Sequence, residues 1–409
     1  MSASGAHYVI IGAGHAGGRG AEALRAAAPD ARITVIGAET YPPYERPPLS
    51  KELLDGSMPL EKTFVRPPEW YAEQKIELKL GVAATAIDRK AKTVTLADGS
   101  SVSYDRLMLT TGGRARRLKL PGSDSPNVLY LRDIEDTKRL KERLVPGAHI
   151  VVIGAGFIGL EVAASARKYG CEVTVLEVAS HPMGRVVAPE IGDWFARLHR
   201  SHGADVRTST TVSSLEAGGR GLLVKVSDGS VIDADLVVPG IGVEPGIELA
   251  QAAGLDVQDG IMVDEFTRTS DPDIFAAGDA TRHFNPFLGR HLRLESYQNA
   301  QNQAIAAAKI MAGNEEPYEE LPWAWTDQHG VNLQVVGAPL AWDRLVWRGS
   351  PEGQSFVLFY LAEGVPVAAN TINSGRDMRP IRQLIRRATP VDPAQLADTS
   401  IKLQDLARG

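Results

Sequence analysis

The sequence predicts an α/β chain, two similar units built on parallel sheets followed by a smaller α+β domain. Three observations point to it. Residues 7–14 read H-Y-V-I-I-G-A-G and residues 149–156 read H-I-V-V-I-G-A-G, an offset of 142. A second echo, Asp98-Gly99-Ser100 with Asp105 and Asp228-Gly229-Ser230 with Asp235, repeats at an offset of 130. After Leu321 the texture changes to tryptophan-rich, alternating segments such as 354–361.

Each element has a local reason. The runs at 7–11 and 149–153 are continuously apolar and β-branched, which suits strands buried on both faces of a parallel sheet. Each ends in glycines and passes into an alanine-rich stretch with helical character. Residues 33–37 and 172–176 read as the next strand of each unit. The runs 107–109 and 236–238 follow the echoed Asp-Gly-Ser turns as further strands. Residues 269–279, T-S-D-P-D-I-F-A-A-G-D, carry a short buried strand ending in a glycine turn. Residues 300–311 form an amphipathic helix.

The glycines carry the first functional signal. Gly12-x-Gly14-x-x-Gly17 and Gly154-x-Gly156-x-x-Gly159 each open a helix directly after a strand. The first glycine allows the tight turn, the second lets a pyrophosphate approach the backbone, and the third lets helix and strand pack closely. The helix N-terminus then offers unpaired N–H groups to the phosphates. Both units are therefore expected to be Rossmann-like dinucleotide sites. Glu39 and Glu177, at the ends of the next strands, are the expected ribose acids. A carboxylate at Glu177 repels a 2′-phosphate and favours NAD over NADP. Arg185 lies eight residues further on.

Composition excludes several classes. The 409 residues include 44 basic and 50 acidic side chains, a net charge of −6, which argues against a nucleic-acid binder. The single cysteine, Cys171, excludes a disulfide framework and a CxxC pair. The nine histidines show no HxH or HxxxH spacing on a clear helix, and no metal site is expected. There is no run of eighteen apolar residues, hence no expected membrane helix. The opening M-S-A-S-G-A-H has no basic, apolar leader character, and the expected compartment is the cytoplasm.

The motifs together resemble the FAD-dependent, NADH-using ferredoxin reductases of bacterial oxygenase systems, within the glutathione-reductase-like flavoproteins. The resemblance runs through R-P-P-L-S-K at 46–51, Y-L-R at 130–132, G-x-x-G-L-E at 156–161, A-A-G-D at 276–279, E-S-x-x-N-A at 295–300 and P-W-x-W-x-D-Q at 322–328. It implies a discontinuous FAD domain (1–112 and 247–320), an inserted NAD domain (113–246) and a C-terminal domain (321–409) covering the flavin. Carried over, Ala16, Lys51, Val82, Arg132 and Asp279 contact FAD, joined by Gly12, Gly14, Gly17, Glu39, Arg46, Thr111 and Gly112. Tyr297 lies close to the cofactor and Trp325 lies against the isoalloxazine. NAD draws on Gly154, Gly156, Ile158, Gly159, Glu161, Glu177, Arg185 and Gly242. Lys51, Glu161 and Trp325 are the expected catalytic residues. Two departures from the family pattern stand out: Ala38 where relatives often place Asp, with Glu39 next, and Ala324 where a larger aromatic is usual.

The resemblance implies hydride transfer from NADH to FAD, then single electrons to a [2Fe–2S] ferredoxin that feeds an oxygenase. With one cysteine, dithiol chemistry is excluded, and Cys171 reads as structural. The alternatives are a rubredoxin acceptor and an NADH-sensing flavoprotein similar to apoptosis-inducing factor. Acidic ferredoxins would be steered by basic patches. Two exist: Arg114, Arg116, Arg117 and Lys119, and a helical face with Arg379, Arg382 and Arg386, flanked by Arg376 and Arg387.

Overall fold

The structure, a computed structural model, describes residues 5–408. The first four residues, part of the stretch read above for a leader, and Gly409 lie outside the described residues. The chain divides into two compact units. One comprises Met1–Pro47, Pro59–Arg114 and Val243–Glu320; the other comprises Pro48–Met58, Ala115–Gly242 and Leu321–Gly409.

The first unit is built on a five-stranded parallel sheet in the order Ile274–Ala276, Arg106–Leu109, His7–Ile11, Arg32–Gly37, Ile76–Leu80. Its central strand is buried along its whole length, as the unbroken apolar run requires. One face is covered by the helices His15–Ala27 and Tyr297–Met311, whose small residues let them approach closely. Gly20 sits against Met108 and Ala304. The other face packs on an antiparallel ribbon of Ala84–Asp88, Thr93–Leu96 and Ser101–Ser103 through Ile87, Val94, Leu96 and Val102.

The second unit repeats the design. Its parallel sheet runs Ala204–Arg207, Glu172–Leu176, His149–Ile153, Leu236–Pro239. The internal duplication extends to single bonds. The backbone N–H of His7 donates to Asp105 at 2.7 Å, and that of His149 donates to Asp235 at 2.7 Å. The Nε2 of each histidine lies against a strand threonine, Thr34 at 2.8 Å and Thr174 at 2.9 Å. The echoed aspartates thus tie the start of the central strand to the next one in the sheet.

The C-terminal segment adds an antiparallel sheet in the order Trp323–Gln328, Val331–Gly337, Val365–Ile372, Phe356–Ala362, Arg344–Arg348. The stretch 354–361 reads as alternating, yet within strand Phe356–Ala362 the first six residues are all buried. Both faces are covered. Leu358 and Tyr360 join a core with Val152 and Phe195, while Phe359 and Leu361 pack on Ile381 and Leu384. Pro48–Met58, inside the stretch expected for the FAD domain, belongs to the second unit. Leu54 is fully buried in the second unit's core. Leu49 and Ser50 carbonyls accept from Thr137 (3.2 Å) and Ser165 (2.9 Å), and the Leu54 carbonyl accepts from Tyr169 (3.0 Å).

Candidate functional site

The first unit presents a glycine cradle. Gly12 turns at φ +114°, and a Cβ there would lie 2.2 Å from the Thr110 carbonyl oxygen. A Cβ on Gly17 would lie 1.9 Å from the Gly12 carbonyl oxygen. A Cβ on Gly14 would meet only the Arg46 guanidinium, at 3.8 Å. Two glycines are therefore required by packing, and the middle one faces open space at the first turn of a helix. That is the arrangement a diphosphate needs. Thr110 braces the turn by donating to the Gly12 carbonyl at 2.8 Å.

Around this cradle the remaining predicted residues are placed as follows. Glu39 accepts from Arg46 (3.0 Å) and from the Tyr44 hydroxyl (2.6 Å), while its backbone carbonyl holds Gly81. The Val82 N–H donates to Gly37. Ala16 faces Gly278, which turns at φ +83° and donates to the Gln303 side chain at 2.9 Å, setting the position of Asp279. Thr111 donates to the Gly246 carbonyl, and Gly112 accepts from the Gly246 N–H. Tyr297 donates to Glu45 at 2.7 Å and stacks on His15, ring centroids 4.0 Å apart.

His15 was not singled out from sequence. It is buried with neither ring nitrogen hydrogen-bonded by the protein. Burial, with the nearby Arg19 and Arg46 cations, pushes it down to about 3, so the ring is neutral. An orphaned neutral imidazole beside the glycine turn fits a bound group with its own polar atoms. Gln303 was also missed; His15 lies inside the glycine motif, and Gln303 lies in the stretch 300–311 read only as an amphipathic helix.

The second unit repeats the cradle. Gly154 turns at φ +102° with its Cβ position 2.6 Å from the Gly240 carbonyl oxygen. The Gly159 Cβ position lies 2.1 Å from the Gly154 carbonyl oxygen, and that of Gly156 only reaches the Gly240 oxygen at 4.0 Å. Glu177 accepts from the Ala155 N–H (2.6 Å) and the Ala179 N–H (2.8 Å), so the acid is held against the glycine turn. Ile158 is exposed on the first turn of helix Phe157–Lys168. The exposed Arg185 lies beside Gly242, its guanidinium 3.7 Å from that residue's Cβ position.

The same unit brings together the three expected catalytic residues. The Lys51 Nζ lies 3.6 Å from Glu161 Oε1 and 4.0 Å from Asp327 Oδ2, and 5.7 Å from the centroid of the Trp325 ring. Glu161 is almost wholly buried and accepts from the Ser50 hydroxyl (2.5 Å) and the Thr326 hydroxyl (2.6 Å). Burial pushes Glu161 up from the usual carboxylate range, opposed by Lys51 and the two hydroxyls. Trp325 stacks on Trp323 with centroids 5.2 Å apart. Ser50, Thr326 and Gln328 were quoted within motifs but given no role. Arg132 belongs to this unit, its backbone N–H donating to Asp136 at 2.9 Å.

Of the two basic stretches, the crossover one is partly engaged within the protein. Arg114 pairs with Glu244 and Glu248, and Arg117 lies over the Tyr130 ring. The other keeps its geometry. Helix Met378–Arg387 buries Met378, Ile381, Leu384 and Ile385, exposes Arg379 and Arg386, and leaves Arg382 half-buried. Among the described residues there is no cluster of three metal-ligating side chains, and no helix is long and apolar enough to cross a membrane.

Comparison with known proteins is consistent end to end. The sequence pattern named Pyridine nucleotide-disulphide oxidoreductase matches residues 6–304, and that named Reductase C-terminal matches 323–407. The anthranilate 1,2-dioxygenase system ferredoxin–NAD(+) reductase component of Burkholderia cepacia is 45% identical over 97% of this chain and 98% of its own. The covalent putidaredoxin reductase–putidaredoxin complex superimposes with a TM-score of 0.94 at 39% identity, covering 98% of both chains. A ferredoxin reductase from Rhodopseudomonas palustris gives 0.94 at 40% identity, covering 98% of this chain and 99% of its own.

Proposed function

The chain belongs to the pyridine nucleotide-disulphide oxidoreductase family, among the ferredoxin reductases with a Reductase C-terminal domain, and from that we propose that it oxidises NADH and passes the electrons singly to a [2Fe–2S] ferredoxin serving an oxygenase. The observation that carries this reading is the twinned glycine cradle in a chain whose single cysteine is buried. FAD is the proposed resident of the first cradle and NADH the proposed visitor of the second. Bound FAD would accept a hydride from nicotinamide and release electrons one at a time.

The chain's own residues have defined tasks in this reading. Gly12, Gly14 and Gly17 admit the diphosphate; Asp279 and Tyr297 orient the remainder. Glu177 holds the second glycine turn and favours NADH by repelling a 2′-phosphate. Lys51 balances the negative charge gained on reduction, with Glu161 as its matched partner. A buried pair of this kind is tolerable because each ion has the other and the carboxylate also has two hydroxyl donors. Trp325, braced by Trp323, offers a flat aromatic face. The Cys171 thiol is fully buried against the Val145 carbonyl, and burial pushes it up, so no thiol route exists. Arg379, Arg382 and Arg386 are the proposed docking face for the acidic partner, and the cytoplasm is the proposed compartment.

Anaerobic stopped-flow on the yellow protein tests the reading. Fast bleaching by NADH, slow bleaching by NADPH and reoxidation by an acidic [2Fe–2S] ferredoxin is the expected result. Bleaching without reoxidation by ferredoxin moves the acceptor to rubredoxin. A colourless protein that cannot take up FAD overturns the reading.

A further inference from the structure

Glu161 is the end of a longer hydrogen-bonded chain within the second unit. Its Oε1 accepts from Thr326, whose hydroxyl oxygen lies 3.0 Å from Gln328 Nε2. Gln328 Oε1 lies 2.8 Å from His199 Nε2, and His199 Nδ1 lies 3.3 Å from His329 Nε2. Glu161, Thr326, Gln328 and His199 are all buried, from 0% to 3% exposed. Two elements supply the far end. Helix Pro189–Ser201 carries His199, and the tight turn at His329-Gly330 joins the first two strands of the C-terminal sheet.

The directions of these bonds follow from one another. A threonine hydroxyl has one proton, and an amide has distinct donor and acceptor ends. Because Gln328 donates to Thr326, the Thr326 proton must point at Glu161. Gln328 can donate only while its carbonyl end faces His199. That requires a proton on His199 Nε2, which leaves Nδ1 to accept from His329. Burial holds His199 at about 4, so the ring is neutral with a single N–H. We propose that His199 is a positioning residue: its Nε2–H fixes the Gln328 amide, and through Thr326 this keeps a donor on the Glu161 carboxylate. The inference rests on reading Glu161 as the carboxylate that serves NADH oxidation. Without the histidine donor the amide is free to turn over. Gln328 then presents its oxygen to Thr326, the hydroxyl proton leaves Glu161, and the carboxylate binds a proton more readily.

The charged groups facing Glu161 are Lys51 and Asp327, and those around the histidines are His202, Lys168 and Arg167. None of them is altered by the test. The rate of flavin bleaching by NADH is followed against pH for the flavin-loaded full chain and for His199→Phe, His199→Gln, Thr326→Val and His199→Phe/Thr326→Val. The phenylalanine keeps the ring volume without a donor, whereas the glutamine restores an N–H. The expected result is an acid limb displaced upward by about one pH unit in His199→Phe, the size of one charge-assisted bond. Glutamine returns it to the wild-type position, and in the Thr326→Val background the phenylalanine has no further effect. His199→Met, which likewise offers the amide no donor, is the parallel variant if His199→Phe does not fold, with the same displacement expected. An unmoved limb, or a displacement that persists on top of Thr326→Val, overturns the proposal. A wild-type protein that NADH does not bleach overturns the functional reading and this inference with it.

Discussion

Replacing Lys51 by methionine tests the buried pair most directly. At 3.6 Å the attraction to Glu161 is roughly 5 kcal/mol at an effective dielectric near 20. Removing it leaves a carboxylate with two hydroxyl donors and Asp327 as a like-charged neighbour. Glu161 answers by taking a proton, which limits the cost. Each pH unit above the usual glutamate value near 4.3 adds about 1.4 kcal/mol. Burial already raises this carboxyl in the wild type, so the loss relative to wild type counts only the pH units above that raised value and is larger at pH 7 than at pH 5. The sign follows from linkage: the folded variant holds a proton that the unfolded chain has lost, so stability falls as pH rises above about 4.3 toward the raised folded value. For a unit of this size each kcal/mol moves the melting point by about 2–4 °C. Lys51→Met is thus expected to melt below wild type by about 3–6 °C for each such pH unit, more at pH 7 than at pH 5. Melting of the flavin-loaded full chain, followed by circular dichroism at several pH values, measures this. Adding Glu161→Gln should erase the pH dependence, since the side chain then has no proton to gain. A loss independent of pH, or a double variant as pH-sensitive as the single one, would refute the reasoning.

Four further outcomes are expected. Gly14→Ala should fold yet lose most of its FAD, read by flavin fluorescence on dilution, because its Cβ enters the space left for the ligand. Gly17→Ala should fail earlier, in soluble yield, because its Cβ meets a backbone oxygen at 1.9 Å. Glu177→Ala should cut the ratio of kcat/KM for NADH over NADPH by about tenfold, the scale of one like-charge repulsion near the surface. Reversing Arg379 and Arg382 to glutamate should slow ferredoxin reduction about tenfold at low salt, with the deficit shrinking as salt rises, and should leave reduction of a small dye unchanged. Equal loss of both activities would remove the docking role.

What was legible follows the range of the interaction. The strand–glycine–helix turns could be read because their requirement is local: Gly12 and Gly17 meet atoms contributed by the same turn and the neighbouring strand. The echoed aspartates could be found because duplication repeated them, although their bonds to His7 and His149 only make sense once the sheet forms. Charge runs are hard to read where the partner is remote. Arg114 looked free to meet a protein, but its glutamates arrive 130 and 134 residues later. The groups that hold the Lys51–Glu161 pair in place were illegible for the same reason. Nothing in R-P-P-L-S-K says that Ser50 will donate to a glutamate 111 residues away, or that Leu54 will leave with it for the second unit's core. Thr326 and Gln328 sat inside a quoted motif, and their roles depend on Glu161 at 165 residues and His199 at 129. A motif of this kind therefore records two things at once, the residues that touch the reaction and the residues that hold them still. Sequence spacing separates the two only when both partners lie on one turn.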